Sequence, residues 1–271
     1  MEDIVHWQQW IGKTERITEQ IEPLVLRRYG AALGEPLKDS APLPSLAHWA
    51  FFIDAVQPGG LGPDGHPKRG GFLPPVSLPR RMFAASDMSF HAPLALGAEA
   101  TKTSRVASLV HKSGRSGDLI LVEVEHEVEQ SGMLCVSEKQ TIVYRDAGAA
   151  TPAVEDKRIT PPDGSELWVP GPVDLFRFSA VTFNSHRIHY DLPYAQKEEG
   201  YPGLVVHGPF IAARLFGFAR QRHGPLRRFS FRAQAPMFVG QPIFLCAGTE
   251  AGQVVARRCD GVDAFIAHFE I

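Results

Sequence analysis

The chain has 271 residues (29.8 kDa), with 28 Lys and Arg against 30 Asp and Glu, a net charge of −2 and a pI near 6.6. Near-neutral charge without a basic block excludes a nucleic-acid binder, which needs a positive stripe, and 44% hydrophobic residues exclude global disorder. At roughly 100–200 residues per domain the length suits two small domains, and 25 Gly with 22 Pro exclude dominance by long helices.

Cys135, Cys246 and Cys259 are far apart and form no CxxC pair. That argues against a disulfide framework or structural zinc site and for a reducing compartment. The start, MEDIVHWQQWIGKTERITEQ, lacks the basic residues and apolar run of a signal peptide, and no stretch reaches the ~18 apolar residues of a membrane span. A cytoplasmic protein without membrane or nucleic-acid partners is expected.

In chain order, the first expected element is a helix over Ile17–Leu33, capped by Thr14 or Thr18, blurred by Pro23 and closed by Gly30 and Gly34. Ser45–Ile53 (SLAHWAFFI) is uncharged between Pro44 and Asp54. Gln57–Pro79 is rich in Gly and Pro and reads as an ordered loop or a lid. Ala100–Val110 reads as a strand. Val122, Val124, His126 and Val128 then alternate with Glu123, Glu125, Glu127 and Glu129, the period of a half-buried antiparallel strand with a solvated acidic face. His126 is read there as a sheet residue. The turn Gln130-Ser131-Gly132 leads into a returning strand, Met133–Arg145.

Asp146–Pro172 shifts to Ala, Pro, Asp and Gly and reads as a linker. An earlier pattern recurs beyond it. Ser89-Phe90-His91-Ala92-Pro93-Leu94-Ala95-Leu96-Gly97 is echoed by Ser230-Phe231 and Ala235-Pro236-Met237-Phe238-Val239-Gly240. Arg80-Arg81 and Arg227-Arg228 precede the two copies, and Gly132 and Gly261 open the last strand of each half. Matches in the same order predict a duplicated α+β unit.

Chemistry concentrates in Phe176–Ala213, which holds His186, His189 and His207. Asp191 is placed to cap a short helix Leu192–Glu199, and a second helix is expected from Pro209 to about Arg222. Its free N-terminal N–H groups favour developing negative charge, and because Pro209 cannot donate, Gly208 is the natural donor. The set His186-x-x-His189-x-Asp191 lacks the pattern of a metal site, so no metal is expected.

The run Thr182-Phe183-Asn184-Ser185-His186-Arg187-Ile188-His189-Tyr190-Asp191, followed by Tyr201-Pro202-Gly203-Leu204-Val205-Val206-His207-Gly208-Pro209, resembles the MaoC-like hot-dog hydratases and dehydratases. It is most similar to the branch with two fused units per chain. That branch includes the mesaconyl-C4-CoA and itaconyl-CoA hydratases and the mitochondrial-type 3-hydroxyacyl-thioester dehydratases. Gly70-Gly71-Phe72-Leu73-Pro74-Pro75, Pro79-Arg80-Arg81-Met82 and Phe90-His91-Ala92-Pro93-Leu94 also resemble its first unit. The resemblance implies an α+β double hot-dog of two antiparallel sheets, each wrapped around a central helix. Residues 1–146 would form a degenerate N-terminal unit, 147–172 a linker and 173–271 the catalytic unit. It places the catalytic histidine on His189, the thioester-facing amide on Gly208, and the family's usual catalytic Asp on Asn184, a departure.

Water addition to a conjugated thioester needs a base, a proton for the α-carbon and a donor to the enolate oxygen. His189 suits the first two, Gly208 the third, and Asn184 suits holding the water without titrating. Arg187, His186, Arg80 and Arg81 are taken as the substrate-binding set. Arg187 either grips a second carboxylate or fixes the loop. His186 holds a neighbouring carbonyl or the loop, and the paired arginines, Arg227 and Arg228 included, are candidates for coenzyme A phosphates. Asp191 is read as a cap, and His207 as a residue bonded to the backbone ahead of its helix.

The expected activity is reversible hydration of an α,β-unsaturated acyl-CoA, a hydro-lyase reaction on a short dicarboxylic substrate such as itaconyl-CoA or mesaconyl-C4-CoA, with itaconate degradation as the setting. The alternatives are a 3-hydroxyacyl-thioester dehydratase of fatty-acid synthesis and an inactive acyl-CoA binding module. No cofactor is expected beyond the coenzyme A of the substrate, and by fold analogy two chains are expected to pair as a homodimer.

Overall fold

Pro23 decides the first boundary in the structure, a computed structural model that describes residues 2–35, 43–114 and 117–271. A short helix α1 (Glu2–Gln8) leads into a strand β1 (Thr14–Gln20), and only then does helix α2 (Pro23–Leu33) begin. The expected helix over Ile17–Leu33 is therefore corrected at its start. Thr14 to Gln20 alternate between exposed and half-buried, the two-residue period of a strand. Pro23 takes the first helical turn, where its missing N–H is no loss. The cap is Glu22 rather than a threonine, and Gly34, at φ 75°, closes the helix as expected.

The remaining strands are β2 (Arg80–Phe90), β3 (Glu99–Gly114), β4 (Gly117–Gln130), β5 (Met133–Arg145), β6 (Glu166–Trp168), β7 (Arg228–Ala233), β8 (Ile243–Ala247), β9 (Gln253–Arg258) and β10 (Asp263–Glu270). Between β6 and β7 lie helices α3 (Pro172–Val181), α4 (Leu192–Lys197) and α5 (Gly208–His223). Among the described residues, all ten strands join one antiparallel sheet in the order β1-β3-β4-β5-β2-β7-β10-β9-β8-β6. The α+β class stands, but the two expected sheets are one. Ala85–Ser89 of β2 pairs with Arg228–Arg232 of β7, which closes the gap between the halves. The order of strands is the same read outward from that seam on either side.

Duplication is thus visible in topology. Strand, central helix and four further strands occur once as β1, α2 and β2–β5, and again as β6, α5 and β7–β10. Gly132 (φ 76°) and Gly261 (φ 89°) occupy equivalent turns before the last strand of each half. The stretch read as a linker ends earlier than expected, because β6 lies inside it.

One core holds both central helices. Leu26 and Tyr29 of α2 pack in the same buried cluster as Ile211 and Leu215 of α5, with Phe229, Phe231 and Phe265 from the second half of the sheet. A second cluster (Trp7, Val76, Val106, Ile120, Val122, Val124 and Tyr144) covers part of the first half. Among the described residues no helix is long and apolar enough to cross a membrane. Leu215 is fully buried, so Leu215→Ala should lower stability by about 2–5 kcal/mol, read as a reduced urea midpoint.

Candidate active site

Helix α3 ends where Thr182 folds its hydroxyl back onto the Phe178 carbonyl (2.7 Å) and Asn184 N–H donates to Ser179 O (2.9 Å). Asn184 Oδ1 then accepts from the His186 N–H at 3.0 Å. This local bond turns the chain into a 3-10 turn, Arg187–His189. It leaves the Asn184 amide nitrogen and one oxygen lone pair for a ligand. Asp191 caps α4 as expected, accepting from Tyr194 N–H at 3.1 Å.

His189 is buried, and its Nδ1 lies 2.7 Å from the Val205 carbonyl. A carbonyl only accepts, so Nδ1 carries the proton and Nε2 the lone pair. The ring stacks on His207 with centroids 3.6 Å apart and 21° between planes. Burial, then the neighbouring His207 and His186, push its pKa well below 6.5, so the ring is neutral near pH 7. His207 is fully buried. Its Nε2 and Ser179 Oγ are hydrogen-bonded at 2.8 Å, and burial, with His186 nearby, lowers its pKa to about 3. The residue is the cap of α5 without using its side chain as one. Gly208 is the first helical residue, and its N–H is one of those a helix leaves without an internal acceptor.

The substrate-binding candidates fall in different places. Arg187 is held by the Asp191 carboxylate (2.7 and 3.0 Å), donates to Pro63 O (3.0 Å) and stacks over Tyr194. Arg80 is buried, 3.5 Å from Glu199, and lines a second cavity beside Lys68 and Arg69. His186 Nε2 lies 3.8 Å from the same Glu199, and its ring packs 4.0 Å from His66. Arg81 is half-buried, with its charge felt at Asp64, His66 and Tyr144. Arg227 is exposed, and Arg228 grips Asp87 across the β2–β7 seam (2.6 and 2.9 Å).

The Gly/Pro-rich loop Gln57–Pro79 is an ordered part of this site. Arg187 N–H donates to Asp64 O (3.0 Å), and Ser185 Oγ donates to the Gly65 carbonyl. Gly65 adopts φ 88°, and a Cβ there would lie 1.9 Å from Ser185 O, so only glycine permits this approach. The loop brings in the pair His66 Nδ1–Asp64 Oδ2 (3.2 Å), which sequence reasoning missed. Nothing in the local pattern of that loop announces a contact more than a hundred residues away.

A cavity of about 290 Å³ adjoins Asn184, Thr182 and Pro209, at the small end of ligand sites. Phe83, Val128, Val136 and Phe178 line it, and so do His48, Lys102, His126 and Glu138. These four were also missed as site residues. The signal for His126 was present, since it stands in a row of valines on the inward face of β4.

The sequence family described as "Hydroxyacyl-thioester dehydratase type 2" matches residues 46–239. The chain is 45% identical over 274 residues to the mesaconyl-C(4)-CoA hydratase of Chloroflexus aurantiacus, covering 98% of each. A MaoC-like dehydratase from Phytophthora capsici superposes with a TM-score of 0.72 at 15% identity, over 98% of this chain and 97% of that one. A conserved hypothetical protein of Mycobacterium tuberculosis with a double hot-dog fold gives 0.55 at 13% identity, over 96% and 95%. The fold is the expected double hot-dog.

His189 and His207 are enclosed and held neutral, so acid should weaken the fold. Below pH 6.5 the unfolded chain protonates both while the folded chain does not. Stability, fully present above that pH, should then fall by about 1.4 kcal/mol per histidine per pH unit until the lowered folded-state values are reached. Urea midpoints measured from pH 7.5 to 5 should drop, and a flat profile is the contrary result.

Proposed function

The chain belongs to the hydroxyacyl-thioester dehydratase type 2 family, and on that premise we propose that it is a hydro-lyase that reversibly hydrates an α,β-unsaturated acyl-CoA. A short dicarboxylic acyl group is the favoured substrate. The name of the 45% identical relative supports mesaconyl-C4-CoA over itaconyl-CoA. The observation that carries the chemistry is the orientation of His189, whose Nδ1–H is committed to Val205.

In the proposed reaction His189 Nε2 takes a proton from water held by Asn184, and the water oxygen bonds to the β-carbon. The π electrons move to the thioester oxygen, where the Gly208 N–H meets the developing charge. The imidazolium then returns its proton to the α-carbon as the enolate collapses. Water has been added and the histidine is neutral again. A neutral buried imidazole favours this sequence because it rests in the base form. Arg187 and Asp191 are assigned to holding the loop, and Arg80 with Glu199 to positioning His186. Arg81 remains the candidate of its pair for a substrate contact.

The second reading, dehydration of a 3-hydroxyacyl thioester, uses the same residues in reverse and is favoured by the family description. Both readings place coenzyme A within the substrate and need no other cofactor. The 173–271 unit carries the catalytic loop in this proposal, and residues 1–146 shape the acyl cavity. The protein is further proposed to be cytoplasmic and homodimeric. Val173 and Phe176 on α3, with Phe183 beyond its end, are each more than 60% exposed and offer an apolar surface to a second copy.

Decay of conjugated-thioester absorbance tests the activity. His189→Ala should lower kcat by at least ~10²-fold, with the fold intact by circular dichroism. Gly208→Pro removes the N–H at a position where a helix accepts proline, after a residue already at φ −60° and ψ 131°. It should lower kcat by about 10²–10³-fold. Near-normal turnover in either variant would remove that residue from its role, and tight binding without turnover by the wild type would leave a binding module.

A further inference from the structure

Opposite Thr182 and Asn184, the cavity is lined by five polar residues from the first half of the chain. His48 comes from the 3-10 turn Ala47–Ala50, Lys102 from β3, His126 from β4, and Glu138 with Gln140 from β5. The register sets Ser104, His126 and Glu138 side by side across three strands. Polar groups enclosed in this way require partners, because each unsatisfied one carries its full desolvation cost.

Glu138 has its partners. It accepts from Ser86 Oγ (2.7 Å), Gln140 Nε2 (3.0 Å) and Trp49 Nε1 (3.1 Å), and lies 3.4 Å from His48 Nε2. Burial pushes this carboxyl up, but His48, His126 and the Ser86 hydroxyl outweigh it and hold it at about 2. Lys102 Nζ donates to the Phe52 carbonyl (3.0 Å) and keeps two further protons. Glu15, Glu138 and Glu19 offset part of its charge, although the Glu19 carboxylate is engaged by the Phe52 N–H and Glu138 by three donors. His126 Nδ1 is hydrogen-bonded to Ser104 Oγ at 2.9 Å, while its Nε2 is buried and has no hydrogen-bond partner among the described residues. If the Ser104 hydroxyl donates, Nε2 carries the proton. With that tautomer the cavity offers two donors, His126 Nε2 and Lys102 Nζ, beside one ionised acid, Glu138, whose oxygens already accept from Ser86, Gln140 and Trp49. A pocket for a plain acyl chain gains nothing from donors placed at such a cost.

Resting on the hydratase reading of this site, we infer that His126 and Lys102, with His48 beside them, form a carboxylate subsite for the far end of a dicarboxylic acyl group. The acyl carboxylate accepts from His126 Nε2 and Lys102 Nζ, and its carbon skeleton lies against Phe83, Val128 and Val136. This subsite, rather than Arg187, selects the substrate. The first half of the chain thus reads the acyl group on which the second half acts.

The test compares mesaconyl-C4-CoA with crotonyl-CoA, which lacks the second carboxylate, on wild type, His126→Leu, His126→Gln and Lys102→Met. Loss of a hydrogen bond to a charged group should lower kcat/KM for mesaconyl-C4-CoA by about 30-fold in the Leu and Met variants, mainly through KM. Crotonyl-CoA turnover should stay within about threefold, which also reports an intact fold, and His126→Gln, which keeps a donor, should recover most of the loss. Equal losses on both substrates, or none on either, overturn the subsite and leave the hydratase reading standing. Wild-type turnover of crotonyl-CoA alone overturns the dicarboxylate assignment. No turnover of either substrate removes the hydratase reading and this one with it. Should His126→Leu fail to fold, the selectivity of Lys102→Met decides.

Discussion

The hydrogen bond from His189 Nδ1 to the Val205 carbonyl is the constraint on which the site depends. A neutral imidazole has one proton and two nitrogens, so whatever accepts that proton decides which nitrogen can act as a base. Val205 can hold this position because its own N–H donates to Ile188 O (3.0 Å) and its backbone bridges to Phe238. The acceptor is therefore tied to the turn that carries His189 and to the segment entering β8. The stack on His207 fixes the plane of the ring, and burial keeps it uncharged.

Duplication followed by division of labour is the second theme. The continuous sheet sets β2 beside β7, so the first half reaches the start of α5, and Phe83 O lies 3.6 Å from where a Gly208 side chain would begin. Among the described residues the first half has no loop equivalent to Asn184–Asp191 between its outer strand and its central helix. It contributes instead the Gly65 clamp and the polar cavity wall. The cavity beside Asn184 is lined from both halves.

Buried charge here serves position more than stability. Removing a carboxylate and a guanidinium from water costs several kcal/mol per ion, which their attraction repays only in good geometry. Arg80 and Glu199, with His186 beside them, form such a group, whereas the Arg187–Asp191 pair at the site's edge is partly exposed and escapes most of that cost. Both surround the turn that carries His189. Their effect is to hold a ten-residue loop in one conformation, which a catalytic site requires and a surface loop lacks.

Several features were set by the sequence alone, because they arise within a few residues of one another. The β4–β5 hairpin follows from two-residue alternation and Ser131-Gly132, the Asp191 cap from a carboxylate placed ahead of Pro193, and the start of α5 from Gly208-Pro209. The duplicated order was legible as motifs that recur in the same order, though not at the same spacing. Tertiary structure alone decided that β1 forms where a helix was expected, because its pairing partner lies some 85 residues along, on β3. It also decided that two sheets merge into one, that Gly65 touches Ser185, and that His48, Lys102, His126 and Glu138 share a cavity with Asn184. Local periodicity tells which face of a strand is buried, but what that face meets depends on contacts made only when the whole sheet closes.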